Sequence, residues 1–206
     1  MGRTDFREPG GSGPSRGRCY LYVLPCGYED ILKLGFSREP LDRMQALHPR
    51  WFEFFDLDRA FLIETETVRD ARNLETGLAG VIKLHNAPAP LVIRKHAAGH
   101  TEWYRGAYAV LEQTTQALAA GGYIVHCPLR AWIRQLLRSR SDTLFSWSSA
   151  MLSPDELETP NAGFDGRPTL AQRTVRNAID AYVALDIDLE PLLPAKVLDW
   201  YSGCQH

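Results

Sequence analysis

The side chains in this chain that could do chemistry together are a phenol, a guanidinium and a carboxylate, three groups suited to handling a phosphate. Tyr20 and Tyr22 stand two apart in the run CYLYVLP, and on a strand that spacing puts both side chains on one face. Lys33 and Gly35 share a face of the run ILKLGF for the same reason. Arg43 follows within FSREPLDR, with Arg38 just before it, and a guanidinium fork matches two phosphate oxygens. Glu75 lies on the apolar side of a helical pattern, four residues after Ala71 and three before Leu78. A carboxylate among core positions needs a partner or a cation, because burying it bare is costly.

A second group of residues carries weaker signals. Glu102 and Trp103 fit a structural corner in which Trp103 enters the core and Glu102 pairs with Lys95 or Arg105, or else the rim of the site. His96 and His100 are four apart, but the intervening AAG is no helix signal and argues against a shared metal. Arg130, Arg134 and Arg138 recur every four residues, which on a helix makes one positive stripe. Such a stripe is either the solvated face of a packed helix or a contact to a nucleic-acid backbone. Tyr182, Trp200 and Tyr201 read as core aromatics.

The elements that must position these groups follow from pattern. Residues 1–17 are rich in Gly, Pro, Ser and Arg and read as a flexible tail. Residues 19–25 and 31–36 form a hairpin, and Ser37 offers a cap for a short helix over LDRMQAL. WFEFF and RAFLIET are expected as strands, and residues 68–85 carry the strongest helical period. LVIRK and YIVH read as short strands around a helix over 107–119. Beyond Pro128, helices are predicted over 129–139, 169–185 and about 194–201, with loops over 140–168. The fold class is α/β: a small, mostly antiparallel central sheet flanked by helices, with a mainly helical extension over 127–206.

Bulk properties set limits. The 206 residues are 45% hydrophobic and 23% charged, ordinary for a globular chain, and no run is long and apolar enough to span a bilayer. The N-terminus lacks the apolar core of an export signal, so a cytoplasmic location is the expectation. Cys19, Cys26, Cys127 and Cys204 show no CxxC spacing and read as free buried thiols. The formal net charge is −2, against a generic basic nucleic-acid binder. Charge is segregated, however: residues 127–149 hold four Arg and one Asp, while residues 150–206 hold four basic and nine acidic side chains.

Taken in order, these pieces resemble the GIY-YIG nuclease superfamily over roughly residues 18–125. Tyr20-Leu21-Tyr22 stands where the first motif would lie, and Lys33-Leu34-Gly35 where the second would. Arg43, eight residues after the glycine, and the LETGL around Glu75 match the family's arginine and its metal-binding glutamate. Thr101-Glu102-Trp103-Tyr104 is similar to the Glu-Trp-Phe signature of the phage-type branch, where Lys-Ile-Gly also replaces Tyr-Ile-Gly. Tyr20 stands in place of the first glycine and Lys33 in place of the second tyrosine. Asn86 lies near where some members carry an asparagine.

The resemblance implies a DNA endonuclease with one Mg²⁺ or Mn²⁺ held by Glu75. Arg43 would stabilise transition-state charge. Tyr22, with Tyr20 as second choice, would take a proton from water, helped by nearby positive charge. Lys33 would be that base only with a depressed pKa, and otherwise adds positive charge. Arg38, Arg130, Arg134 and Arg138 are the candidate DNA contacts. The extension over 127–206 could also bind a protein partner or a second copy. Two other classes stay open: a nuclease-like module without catalysis, and a small-molecule enzyme of unrelated α/β fold.

Overall fold

The computed structural model describes residues 16–93 and 101–204. Strand β1 (Arg16–Pro25) turns back into β2 (Ile31–Ser37), antiparallel, with Tyr22 opposite Gly35 and Leu24 opposite Lys33. Strand β3 (Phe61–Thr67) lines the other side of β1 and sets Glu64 opposite Tyr20. Three short strands complete the sheet: β4 (Asn86–Ala87), β5 (Trp103–Arg105) and β6 (Val125–His126). The order is β4-β5-β2-β1-β3-β6, and every pairing is antiparallel.

Strict alternation divides the side chains of β1 between two cores. Leu21 and Val23 point to one side, where Leu78 of helix α3 (Val68–Val81), Ile82 just past its end and Leu111 of α4 (Tyr108–Ala120) cover them. Thr67 starts α3 as an N-cap, its hydroxyl accepting from the Asp70 amide. Tyr22 and Leu24 point to the other side, against α1 (Pro40–Leu47) and α2 (Trp51–Phe54).

That second core continues without a break into the C-terminal helices. Leu129, Ile133 and Leu137 of α5 (Leu129–Ser139), Leu144 of α6 (Ser141–Met151), Val175 and Ile179 of α8 (Leu170–Ala184) and Trp200 of α9 (Ala195–Gly203) belong to one cluster with Tyr22 and Trp103. The short α7 (Pro154–Glu158) opens on a Ser153–Glu156 capping box. The residues read as an extension therefore close the core of the sheet. Among the described residues no helix is long and apolar enough to cross a membrane.

Four local expectations are corrected. WFEFF is helical over Trp51–Phe54, because Trp51, Phe52 and Phe54 are all buried and the run lacks the alternation a half-buried strand needs. The supposed loop over 140–168 holds α6 and α7, since Leu144 and Ser148 bury one helix face despite a Ser-rich composition. Leu91–Ile93 form a turn closed by an Ile93-to-Pro90 hydrogen bond, with the rest of LVIRK outside the described residues. Ser37 does not cap α1: Glu39 holds that position, and the Ser37 hydroxyl accepts from the Glu39 amide at 3.0 Å.

Candidate active site

The hairpin fixes the first two groups of the site. Because Tyr22 faces Gly35 across the strand pair, its ring lies flat over the glycine: a Cβ at Gly35 would stand 2.6 Å from the Tyr22 Cζ. No other residue leaves that space. Two register steps along, Lys33 is 1% exposed, which makes it the most deeply buried cation of the described fold. Its ammonium donates to the Thr101 carbonyl and, at 2.9 Å, to Glu102 Oε2, and it lies 5.9 Å from the Trp103 ring centroid.

Helix α1 delivers the guanidinium. Leu41, Met44 and Leu47 bury its apolar side, which leaves Arg43 half-buried at the edge of the core. Arg43 Nε donates to the Tyr22 hydroxyl at 3.3 Å. Helix α3 brings Glu75 from the opposite layer. Ala71 and Leu78 pack inward, and Glu75 stays half-buried beside them. Glu75 has no hydrogen bond or ion pair among the described residues, yet its charge acts on Tyr22 and Lys33.

The electrostatics of the cluster are mutual. Burial, and then the charge of Glu102, push the Glu75 carboxyl above the usual carboxylate range, while Lys33 and Arg72 pull the other way. Burial pulls Lys33 below the usual ammonium range, and the Glu102 hydrogen bond and charge offset part of that. Burial also raises Glu102, but the Thr101 and Lys33 hydrogen bonds outweigh it and hold that carboxyl below its ordinary value. Glu102 itself takes a left-handed backbone (φ 58°), rare for a side chain of its kind. Backbone strain of that sort gathers at sites where the surroundings over-determine the conformation.

Burial pushes the Tyr22 phenol up as well, and the bond and charge of Arg43 only partly offset it. In the protein alone desolvation outweighs Arg43, so Tyr22 keeps its proton at neutral pH; a bound cation beside it would pull the phenol the other way. Burial does lower Lys33, the direction a base would need, but its ammonium is committed to Glu102 and the Thr101 carbonyl. Among the described residues no three His, Cys, Asp and Glu side chains gather to hold a metal. A single-carboxylate site needs no such group. An untied, half-buried carboxylate next to a second one is an oxygen-donor environment that suits a hard divalent cation completed by water and phosphate.

Of the residues singled out by sequence, Tyr22, Lys33, Arg43 and Glu75 come together, and Glu102 joins them through Lys33 rather than through Arg105. Arg105 pairs with Glu29 instead. Tyr20 lies apart, its ring 5.5 Å from Trp132 and 6.5 Å from His126. Arg38 is exposed, and Asn86 is exposed on β4 opposite Tyr104. The arginine stripe is largely used inside the chain: Arg130 bonds Asp58 and the Ala184 carbonyl, Arg134 bonds the Asp186 carbonyl, and Arg138 is exposed. His96, His100 and Lys95 lie outside the described residues. Comparison with family models, with curated proteins and with solved structures gives no match for this chain, so the site is read from its own geometry and chemistry.

Proposed function

We propose that the chain is a metal-dependent endonuclease of GIY-YIG type that hydrolyses DNA phosphodiester bonds. The observation that carries this reading is the gathering of Tyr22, Lys33, Arg43 and Glu75, from four different elements, with the Glu75 carboxylate tied by no hydrogen bond or ion pair among the described residues. Glu75 would hold Mg²⁺ or Mn²⁺, and the cation would supply Lewis-acid polarisation of the phosphate. Arg43 balances charge that builds on the phosphate oxygens in the transition state. Its Nε also holds the Tyr22 oxygen as acceptor, which leaves the phenol proton to donate to a substrate oxygen. Tyr22 is thus a proton-keeping donor in this scheme. Lys33 adds positive charge from below and pins the Thr101–Glu102 backbone.

One observation favours a second reading, a nuclease-like binding module without catalysis. Neither Tyr22, raised by burial, nor Lys33, committed to Glu102, is poised to take a proton from water. Incubation of the purified chain with Mg²⁺ or Mn²⁺ and single-stranded, duplex or branched DNA separates the two. Cleavage is expected, with Glu75→Ala and Arg43→Ala each slower by ~10²–10³-fold. Variants that cut as fast as the parent would remove these roles, and a parent that binds but never cuts would leave the module.

A further inference from the structure

A concavity with a volume of about 610 Å³ opens beside Tyr20, one strand pleat away from Tyr22. It is within the range of small-molecule sites, and far larger than a packing defect. Its floor comes from the sheet: Tyr20 and Glu64 face each other across β1 and β3, and His126 of β6 continues the same face. Its wall is α5, where Trp132, Gln135, Leu136 and Ser139 follow one another at helical spacing. Three half-buried rings meet here, Trp132 lying 5.5 Å from Tyr20 and 6.1 Å from His126. Only the Tyr20–Trp132 contact is edge-on, at 63°, while His126 is tilted by 53° and 49° against the two. The rings therefore line the pocket at angles to one another, and a base would stack on one of them, the Trp132 indole being the largest.

The polar groups of the pocket are specific. Glu64 Oε1 holds His126 Nε2 at 2.7 Å. Glu64 Oε2 faces Arg18 at 3.8 Å, too long for a hydrogen bond, and takes no hydrogen bond among the described residues. The Tyr20 hydroxyl has no hydrogen bond among the described residues. An aromatic surface for stacking, an acceptor at its edge and a cation at the mouth are the parts that recognise a nucleotide.

We propose that this pocket is a base-binding subsite that takes one unpaired nucleobase bearing an exocyclic amine, stacked on Trp132 with its amine donating to Glu64. The substrate class rests on the nuclease reading, which this subsite narrows. Tyr20 and Tyr22 are two residues apart on one strand face, about 7 Å, so a base seated here is one sugar away from a phosphate at Tyr22 and Arg43. A base in a duplex is stacked and paired and cannot enter. The chain therefore acts on single-stranded, mismatched or branched DNA in preference to a perfect duplex. Cytosine, adenine and guanine carry an exocyclic amine that Glu64 accepts, and thymine does not.

The test is calorimetric titration of the full chain, without metal, with 5′-dCMP, 5′-dAMP, 5′-dTMP, deoxyribose 5-phosphate and choline. The first two are expected to bind, dTMP more weakly, and the base-free sugar phosphate weakest. Trp132→Ala should weaken dCMP binding by about tenfold to a hundredfold, while Trp132→Phe keeps most of it and guards against misfolding. Glu64→Gln should narrow the preference of dCMP over dTMP. Binding of dCMP no tighter than of deoxyribose 5-phosphate, an unaffected Trp132→Ala, or choline bound in place of the nucleotides would each overturn the subsite. Nucleotide binding by a chain that cuts no DNA keeps the subsite and removes the nuclease. Equal cutting of paired and unpaired DNA without nucleotide binding removes the subsite and keeps the nuclease.

Discussion

Glu75 is held in the fold at an energetic disadvantage. Its carboxyl is raised by burial and by Glu102, so the folded chain keeps a proton on it more tightly than the unfolded chain does. Such a group costs stability as pH rises from the ordinary carboxylate range through the raised folded value. Glu75→Gln removes that cost. Its melting temperature should match the parent near about pH 4 and exceed it by a few degrees at neutral pH, even though any cleavage is lost. A melting curve at each pH reads this, and equal midpoints at neutral pH would show that Glu75 is not strained. Divalent metal should raise the parent's midpoint and leave that of Glu75→Gln in place. At this scale the sequence was informative where a residue's type constrained its surroundings. A Glu in phase with Ala71 and Leu78 had to be half-buried, and it is. The protonation of Tyr22 was not legible, because the cost of burying a phenol depends on α1 and the C-terminal helices, which are distant in the chain.

Between β1 and β2 the fit of Tyr22 over Gly35 links sequence to function at the level of elements. Gly35→Ala places a methyl group 2.6 Å from the Tyr22 Cζ, so either the ring leaves Arg43 or the strands part. Overpacking of this kind costs about 1–3 kcal/mol. Urea denaturation should show the loss, and any cleavage by this variant should fall with it; a stable, active Gly35→Ala would mean that the ring is free to move. The hairpin, α3, α5 and α8 were legible because their apolar periods are regular. Trp51–Phe54 and Ser141–Met151 were not: one is too short and uniformly apolar to show a period, and the other is Ser-rich and folds because Leu144 finds a buried place. The Tyr20–Glu64–His126 face was hidden for a related reason. Its members lie on three strands whose register depends on pairings distant in sequence, although the alternation of Leu62 and Glu64 on β3 held a clue.

At the scale of the whole molecule, the shared core makes the two regions interdependent. A chain ending at residue 126 would expose Leu24, Met44, Trp51 and Phe55 to water. It should lose cooperative unfolding and bind a hydrophobic dye such as ANS, as cores without specific packing do; a fragment that melts cooperatively without binding the dye would show that the sheet stands alone. The outermost strands, β4 and β6, are only two residues long. They give another polypeptide almost no ladder of open amides and carbonyls to extend, one of the ways proteins keep themselves from polymerising edge to edge. With so little ladder offered at β4 and β6, pairing of copies through the outer helices is the expected mode, which leaves the sheet free to serve as a platform that is slow to grow into a fibre at those margins.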